Sequence, residues 1–336
     1  MPDLSKGRIL VTGGAGLIGS ALVWQLNRHG VKNILVADLL GNGEKWRNLV
    51  PLQFADYIEA DDLLERIRES PHLLSNIAAI FHLGATTSTT ETDAAHLIRN
   101  NFEYTKALAQ FALEGGRRFV YASSAATYGA LEASLPESVG LETLRPLNMY
   151  GYSKHLFDCY AHHAGLLPRI TGLKYFNVFG PNENHKGDMR SMVHKAFHQI
   201  QDTGTVRLFK SYSPEFSAGG QRRDFLYVKD AVAATLFLAE HVNGGGLFNI
   251  GSGVPHTWVE LANAVFQALD REPKIEFVDM PEELRGKYQY FTCAHIGKLR
   301  AAGFAQSITP LEDAVGDYVR NYLLPGRYLG DEPAAN

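Results

Sequence analysis

Cysteine is scarce: Cys159 and Cys293 are the two thiols in 336 residues. They form no metal-ligand spacing, and so few thiols exclude a disulfide framework and point to a reducing compartment. Charge of one sign is also missing. With a formal charge of −4 at pH 7, the chain has no global basic field to gather nucleic acid. No run approaches the roughly 18 apolar residues of a membrane span. The opening MPDLSKGRILVTGG has no apolar stretch of secretory length. Repeats and low-complexity blocks are absent. What is there is an ordinary globular composition, 45% apolar and 20% charged, long enough for one large α/β domain or two smaller ones. The expectation is a cytoplasmic protein with no nucleic-acid or membrane partner.

Short apolar runs alternate with amphipathic stretches. RILVTGG (8–14), NILVAD (33–38), AAIFHLGA (78–85), RFVYASS (118–124) and ITGLKYFNVFG (170–180) read as buried strands. Helical patterns cover 17–29, 61–69, 94–114 and 149–164. This alternation predicts parallel βαβ units in a Rossmann-type, doubly wound α/β sheet. After Gly180 the pattern loosens into a polar loop, a helix near 189–203 and a second polar loop over 211–225. LYVKDAVAATLFLAEH then reads as a helix of the sheet domain, 246–253 as a strand, and 258–269 and 310–323 as helices. The expected layout is a dinucleotide-binding domain of 1–176 plus 225–251. A smaller, partly interleaved substrate domain takes 177–224 plus 252–336, and the tail GDEPAAN is expected to be loose.

VTGGAGLIGS places Gly13, Gly16 and Gly19 between the first strand and the first helix, with Leu17 and Ile18 inside the turn. Glycines there permit a tight turn, close approach of backbone to a pyrophosphate, and tight helix–strand packing. The spacing is G-x-x-G-x-x-G. Preceded by a strand, followed by a helix, and with an acid closing strand two, it signals dinucleotide binding. That acid, Asp38, is positioned for the adenosine ribose hydroxyls. Its charge disfavours a ribose 2′-phosphate, which Lys45 and Arg47 could offset, while Leu39 offers no polar atom. The choice between NAD and NADP stays open on these residues.

NMYGYSKHLFD (148–158) sets two tyrosines near one lysine. A tyrosine with its ordinary pKa of about 10 is a poor base at neutral pH and needs a cation beside it. On a helix, residues four apart share a face and residues two apart do not. Tyr150 therefore lies beside Lys154, and Tyr152 points away. Upstream, YASSAATYG (121–129) ends a strand at the carboxyl edge where ligands of such sheets sit, so Ser124 or Thr127 can meet a substrate hydroxyl. His162 and His163 have no acid or cysteine at ligand spacing, and no metal is expected.

The glycine-rich start, Ser124, and the Tyr-x-x-x-Lys of Tyr150 and Lys154 together resemble the extended short-chain dehydrogenase/reductase superfamily. The resemblance implies that Tyr150 takes a proton from a sugar hydroxyl as hydride passes to nicotinamide. Lys154 would hold the ribose and lower the tyrosine pKa, and Ser124 would bind the reacting oxygen. Sugar-nucleotide 4,6-dehydratases of that superfamily carry an Asp-Glu pair where this chain has Ala125 and Ala126, which argues against dehydration.

FHLGATTSTTETD (81–93), KYFNVFGPNENHKGDM (174–189), RRDFLYVKD (222–230) and GKYQYFTCAHIGKLRAAGF (286–304) extend the match. From about residue 8 to 322 the chain resembles the ADP-L-glycero-D-manno-heptose 6-epimerase family, nucleotide-sugar epimerases of lipopolysaccharide precursor synthesis. The resemblance implies tightly held NADP, an ADP-sugar substrate and a homo-oligomer, typically a pentamer. It implies that Leu83, Gly84, Ala85, Thr86, Thr87, Asn100, Val178, Lys154 and Lys186 border the cofactor. Asn177, Asp188, Lys195, Phe209, Lys210, Ser211, Tyr212, Arg223 and Tyr288 would meet the sugar nucleotide, and Lys186 would act as a second proton carrier. Departures are Asp188 for the family's serine, Lys195 for its histidine, Leu39 and Ala60 in its 2′-phosphate site, and a longer 211–222 loop. These leave room for a different nucleotide-sugar epimerase or reductase. In another class altogether, a non-catalytic NAD(P)-binding redox sensor would need no phenolate.

Overall fold

Ile9–Val11, Ile34–Ala37 and Ala79–Phe81 are shielded from solvent on both faces, as central strands of a parallel sheet between helix layers must be. The computed structural model describes residues 6–131, 134–135, 137, 139–241, 244–285 and 288–331. Along the chain the strands are β1 (Arg8–Thr12), β2 (Ile34–Asp38), β3 (Asp56–Glu59), β4 (Ile77–His82), β5 (Arg118–Ser124), β6 (Ser134–Leu135) and β7 (Thr171–Tyr175). There follow β8 (Asn177–Phe179), β9 (Val206–Phe209), β10 (Arg222–Tyr227), β11 (Gly246–Ile250), β12 (Pro255–Thr257), β13 (Ile275–Val278) and β14 (Cys293–Ala294). The main sheet has seven strands in the order β11-β7-β5-β4-β1-β2-β3, every neighbouring pair parallel. The order reverses between β1 and β4, which is where a doubly wound sheet opens a ligand crevice at its carboxyl edge.

The principal helices are α1 (Leu17–Arg28), α2 (Ala60–Glu69), α3 (Ala94–Leu97), α4 (Tyr104–Glu114), α5 (Met149–His163), α6 (Met192–Thr203), α7 (Val228–His241) and α8 (Trp258–Ala268). One core cluster joins α1 and α7 to a sheet face and runs on through α6, α8 and the last helix, Leu311–Tyr318. The other face packs α2, α4 and α5. A three-stranded sheet, β12-β10-β8, and the pair β13-β9 are built by the chain after Tyr175, and β14 from that part pairs back with β6. Among the described residues no helix is long and apolar enough to cross a membrane. Both cysteines are free thiols.

The fold class is the one expected from the sequence, with local corrections. β3, absent from the strands read in the sequence, is a short, half-exposed edge strand. The expected helix 94–114 is two helices joined by a π turn over Ile98–Glu103. The expected strand 170–180 breaks at Phe176, whose amide bonds the Ile250 carbonyl, and β8 then leaves the main sheet to pair with β10. Gly286, Lys287 and the tail beyond Asp331 lie outside the described residues.

Candidate active site

A cleft of about 1370 Å³ runs from the β1–α1 turn across the ends of β4 and β5 to the chain that follows β8. Gly13, Gly16, Leu17, Ile18 and Gly19 line its floor. Gly13 sits at φ +67°, and a Cβ there would meet the Gly84 amide nitrogen at 2.5 Å. A Cβ on Gly19 would meet the Gly13 carbonyl oxygen at 2.0 Å. At Gly13 and Gly19 the turn therefore has no room for a side chain. Gly16 caps α1, so the first amides of that helix open onto the cleft.

Asp38 also lines the cleft, but its carboxylate is already engaged by the protein. Oδ2 accepts the Ala15 amide at 2.8 Å and Oδ1 accepts the Leu39 amide at 2.7 Å. The Lys45 ammonium pairs with Oδ1. The acid ties the glycine turn to the end of β2, and Lys45 offsets its charge as the sequence suggests. Arg47 does not help: it pairs with Glu44 at 3.0 Å. Leu39 and Ala60 border the same end of the cleft.

Leu83, Gly84, Ala85, Thr86, Thr87 and Asn100 form the wall beyond β4. Asn100 donates to the Thr86 hydroxyl at 3.2 Å. The residue that fixes this wall is its neighbour Asn101, which sequence reasoning passed over. Fully buried in the π turn, Asn101 accepts the Thr86 amide and donates to the Thr86 carbonyl, both at 2.9 Å. It also donates to the Ser153 hydroxyl at 2.9 Å, and Ser153 donates to the Tyr150 carbonyl at 2.7 Å. One amide side chain thus joins the cofactor wall to α5. The available signal was two adjacent asparagines inside an amphipathic helix, where their propensity is poor.

Asn148 caps α5, accepting the Gly151 amide at 2.8 Å. From that start the helix turns Tyr150 and Lys154 into the cleft and leaves Tyr152 46% exposed outside it. Lys154 is buried, and its Nζ has no hydrogen-bond partner among the described residues. Burial pulls its pKa down to about 8, with Asp158, one turn on, acting in the opposite direction. Burial pushes the Tyr150 phenol up, and the Ser124 hydroxyl draws it back. Ser124, at the end of β5, accepts the Ala126 amide at 3.1 Å, which leaves its own proton to donate. His82 lies behind, between Thr12 at 2.7 Å and Thr105 at 2.8 Å, kept neutral by burial and by the Lys154 charge.

Across the cleft, Lys186 projects from a 3-10 turn, Asn184–Met189. Burial lowers its pKa; Glu183 opposes that shift and Lys195 adds to it. Asn177, Val178, Phe209 and Tyr288 line this side. Lys195 also lines it, but its ammonium donates to the Asp188 carbonyl at 2.6 Å. Asp188 itself faces solvent and does not border the cleft.

Five expected substrate contacts do not line the cleft: Asp188, Lys210, Ser211, Tyr212 and Arg223. Lys210 pairs with Asp279 at 3.2 Å, Tyr212 donates to the same carboxylate at 2.9 Å, and Ser211 donates to the Ser213 carbonyl at 2.9 Å. Arg223 donates to the Arg222 carbonyl at 2.9 Å and to the Gln289 carbonyl, with Tyr288 and Trp258 against its guanidinium. Sequence reasoning missed His185, Arg190, Gln199 and Trp258, which do line the cleft. Arg190 uses its Nε on the Asn184 carbonyl at 2.9 Å. Among the described residues no cluster of three or more histidine, cysteine or acidic side chains could hold a metal.

The crowded glycine turn, the helix amides and the unpartnered buried ammonium fit a dinucleotide. The chain belongs to the NAD-dependent epimerase/dehydratase family, whose model matches residues 9–251. It is accordingly an epimerase-type enzyme with a nicotinamide cofactor. Its relatives are more particular. An ADP-L-glycero-D-manno-heptose-6-epimerase of Nitratidesulfovibrio vulgaris strain Hildenborough is 50% identical over 94% of this chain and 97% of its own length. The enzyme of the same name from Fusobacterium nucleatum is 45% identical over 94% of this chain and 98% of its own. The crystal structure of the Helicobacter pylori ADP-L-glycero-D-manno-heptose-6-epimerase superposes with a TM-score of 0.80 at 26% identity, covering 95% of this chain and 96% of that one.

Proposed function

We propose that this enzyme inverts C-6 of ADP-glycero-manno-heptose by transient oxidation to a ketone and re-reduction, with NADP held throughout and NAD as the alternative. The observation that carries the reading is the pair of proton carriers, Tyr150 on α5 and Lys186 on the turn after β8, opening into one cleft over the glycine turn. The names of the relatives support the sugar.

Leu17–Gly19 would meet the pyrophosphate, Leu83–Thr87, Asn100 and Val178 the body of the dinucleotide, and Lys154 the nicotinamide ribose. When bound, the dinucleotide supplies the acceptor and donor of hydride. Tyr150 takes the proton of the substrate hydroxyl while Ser124 donates a hydrogen bond to the same oxygen. Burial opposes ionisation of Tyr150, so the Lys154 ammonium, one helical turn away, is the cation this chain offers in compensation. Rotation about the exocyclic C5–C6 bond of the ketone then presents its other face. Its oxygen moves out of reach of one phenol, because proton transfer needs about 2.6–3.2 Å. Lys186, with its proton loosened by burial, serves that second pose.

In the same reading, residues 1–176 plus 225–251 carry the dinucleotide and 177–224 plus 252–336 the sugar. The enzyme works in the cytoplasm as a homo-oligomer, a pentamer by resemblance, on lipopolysaccharide precursors. Incubation with ADP-heptose and other nucleotide sugars, with product stereochemistry read by NMR, tests it. Inversion at C-6 is expected for the ADP-heptose. Turnover of a different nucleotide sugar only would overturn the substrate, and binding without any turnover would favour a sensor. Identification of the nucleotide released on denaturation decides between NADP and NAD.

A further inference from the structure

Behind Ser124 and Lys154 lies a buried ion pair that takes no part in the chemistry above. Asp158 is fully buried and Lys174 is 1% exposed, with Nζ and Oδ2 2.8 Å apart. Neither borders the cleft. The Asp158 carboxylate also accepts the Tyr121 phenol at 2.9 Å and the Ser123 hydroxyl at 2.8 Å. Lys174, the cross-strand partner of Ser123, donates to the Thr127 hydroxyl at 2.6 Å, and Thr127 donates to the Ser124 carbonyl at 2.8 Å. A buried pair seldom adds stability over apolar side chains of the same volume, even when further hydrogen bonds offset part of its desolvation. Its position suggests another use. Asp158 follows Lys154 by four residues on α5 and so shares its face, and the Lys154 ammonium has no hydrogen-bond partner of its own among the described residues.

We propose that Asp158 and Lys174 are positioning residues for the reaction: the Asp158 anion holds the buried Lys154 in its charged form, while Lys174 limits that field and, through Thr127, fixes Ser124. This rests on the reading in which Lys154 acts as a cation beside Tyr150. Burial drags the Lys154 ammonium to about 8, and the Asp158 charge acts against that. On α5 itself the nearby titratable groups in sequence are Tyr150, His155 and Cys159. His82, on β4, is held neutral by burial and by the Lys154 charge. The elements packed against α5 carry Arg118 and Tyr121 on β5, Tyr128 on the turn after it, Arg99 and Glu103 on the π turn, His96 on α3 and Glu142 before α5, where Arg145 follows.

The signs differ for the two partners. Asp158→Asn removes the anion and leaves Lys174 as an unbalanced cation, so Lys154 loses its proton at lower pH. Lys174→Met leaves the anion unbalanced, so Lys154 keeps its proton to higher pH. The experiment titrates the holoenzyme labelled with [13Cε]lysine, the Lys154 signal being assigned by its loss in Lys154→Met, alongside the pH profile of kcat at saturating nucleotide sugar. The Lys154 midpoint and the alkaline limb of kcat are expected to fall by about one pH unit in Asp158→Asn and to rise in Lys174→Met. Both should return close to wild type in the double variant and in Lys174→Arg. Midpoints that stay put, or move the same way in both single variants, would overturn the proposal and leave the pair a packing element. Should Asp158→Asn fail to fold, Lys174→Met against Lys174→Arg decides alone. If no nucleotide sugar is turned over by the wild type, the epimerase reading fails while the lysine titration still judges the pair.

Discussion

Tyr150 and Tyr152 stand two positions apart on one helix and meet opposite surroundings, the first in the cleft and the second 46% exposed. The period of an α-helix made that difference legible before any coordinates, because it depends only on neighbours in sequence. Tyr150→Phe is expected to keep fold and cofactor and to lose roughly 10²–10⁴ in turnover, while Tyr152→Phe stays near wild type. Steady-state rates with the bound dinucleotide quantified check both, and equal losses would sink the assignment. Lys186→Met is expected to lose at least about 10² in epimerisation with the dinucleotide retained. Loss of the dinucleotide in that variant would instead mark Lys186 as a phosphate-binding lysine. Arg223, Lys210 and Tyr212 were not legible in this way. Their directions are set by Gln289 and Asp279, more than sixty residues on, which no local pattern reveals.

Elements with strong periodicity, such as α1, α5 and the central strands, fell where the sequence put them to within a few residues. The π turn and the break at Phe176 did not, because each is a tertiary choice. Asn101 satisfies Thr86 and Ser153 at the cost of regular helix, and Phe176 bonds across to Ile250. The β1–α1 turn gives a sharp test at this scale. Gly30 and Gly13 both have positive φ, at +79° and +67°, but a Cβ on Gly30 meets nothing within 4 Å. Gly30→Ala should therefore cost only the left-handed strain, about 1–2 kcal/mol. Gly13→Ala adds a clash with Gly84, about 1–3 kcal/mol more, and should displace the dinucleotide from the turn. Denaturant melts with nucleotide quantification separate the two. Full cofactor retention in Gly13→Ala would contradict the close-approach argument.

At the scale of the whole molecule, the segment around Leu329 packs back toward the glycine turn, which composition alone did not suggest. Leu329 is fully buried, and its amide donates to the Asn182 Oδ1 at 3.0 Å. Asn182, held at φ +75°, donates from its side chain to the Ser20 hydroxyl at 2.9 Å, and Ser20 donates to the Gly16 carbonyl at 2.7 Å. Its own carbonyl accepts the Asn48 amide group at 2.9 Å, and Asn48 also reaches the Ala15 carbonyl at 2.8 Å. The segment at Leu329 is thus tied through Asn182 to the adjacent Ala15 and Gly16 carbonyls in the middle of the glycine turn. Leu329→Ala leaves that backbone bond in place and should cost about 2–5 kcal/mol from the lost packing, with little change in dinucleotide affinity for the folded enzyme. A chain ending at Gly326 loses the packing and the bond together. It should melt lower and also hold the dinucleotide about ten-fold more weakly. Melting temperatures measured over a series of dinucleotide concentrations distinguish the two variants, because a ligand that binds only the folded state stabilises it by RT ln(1 + [L]/Kd), so a weaker Kd moves the whole dependence to higher concentration. If both variants show the wild-type dependence on dinucleotide, the segment stabilises the fold without shaping the turn.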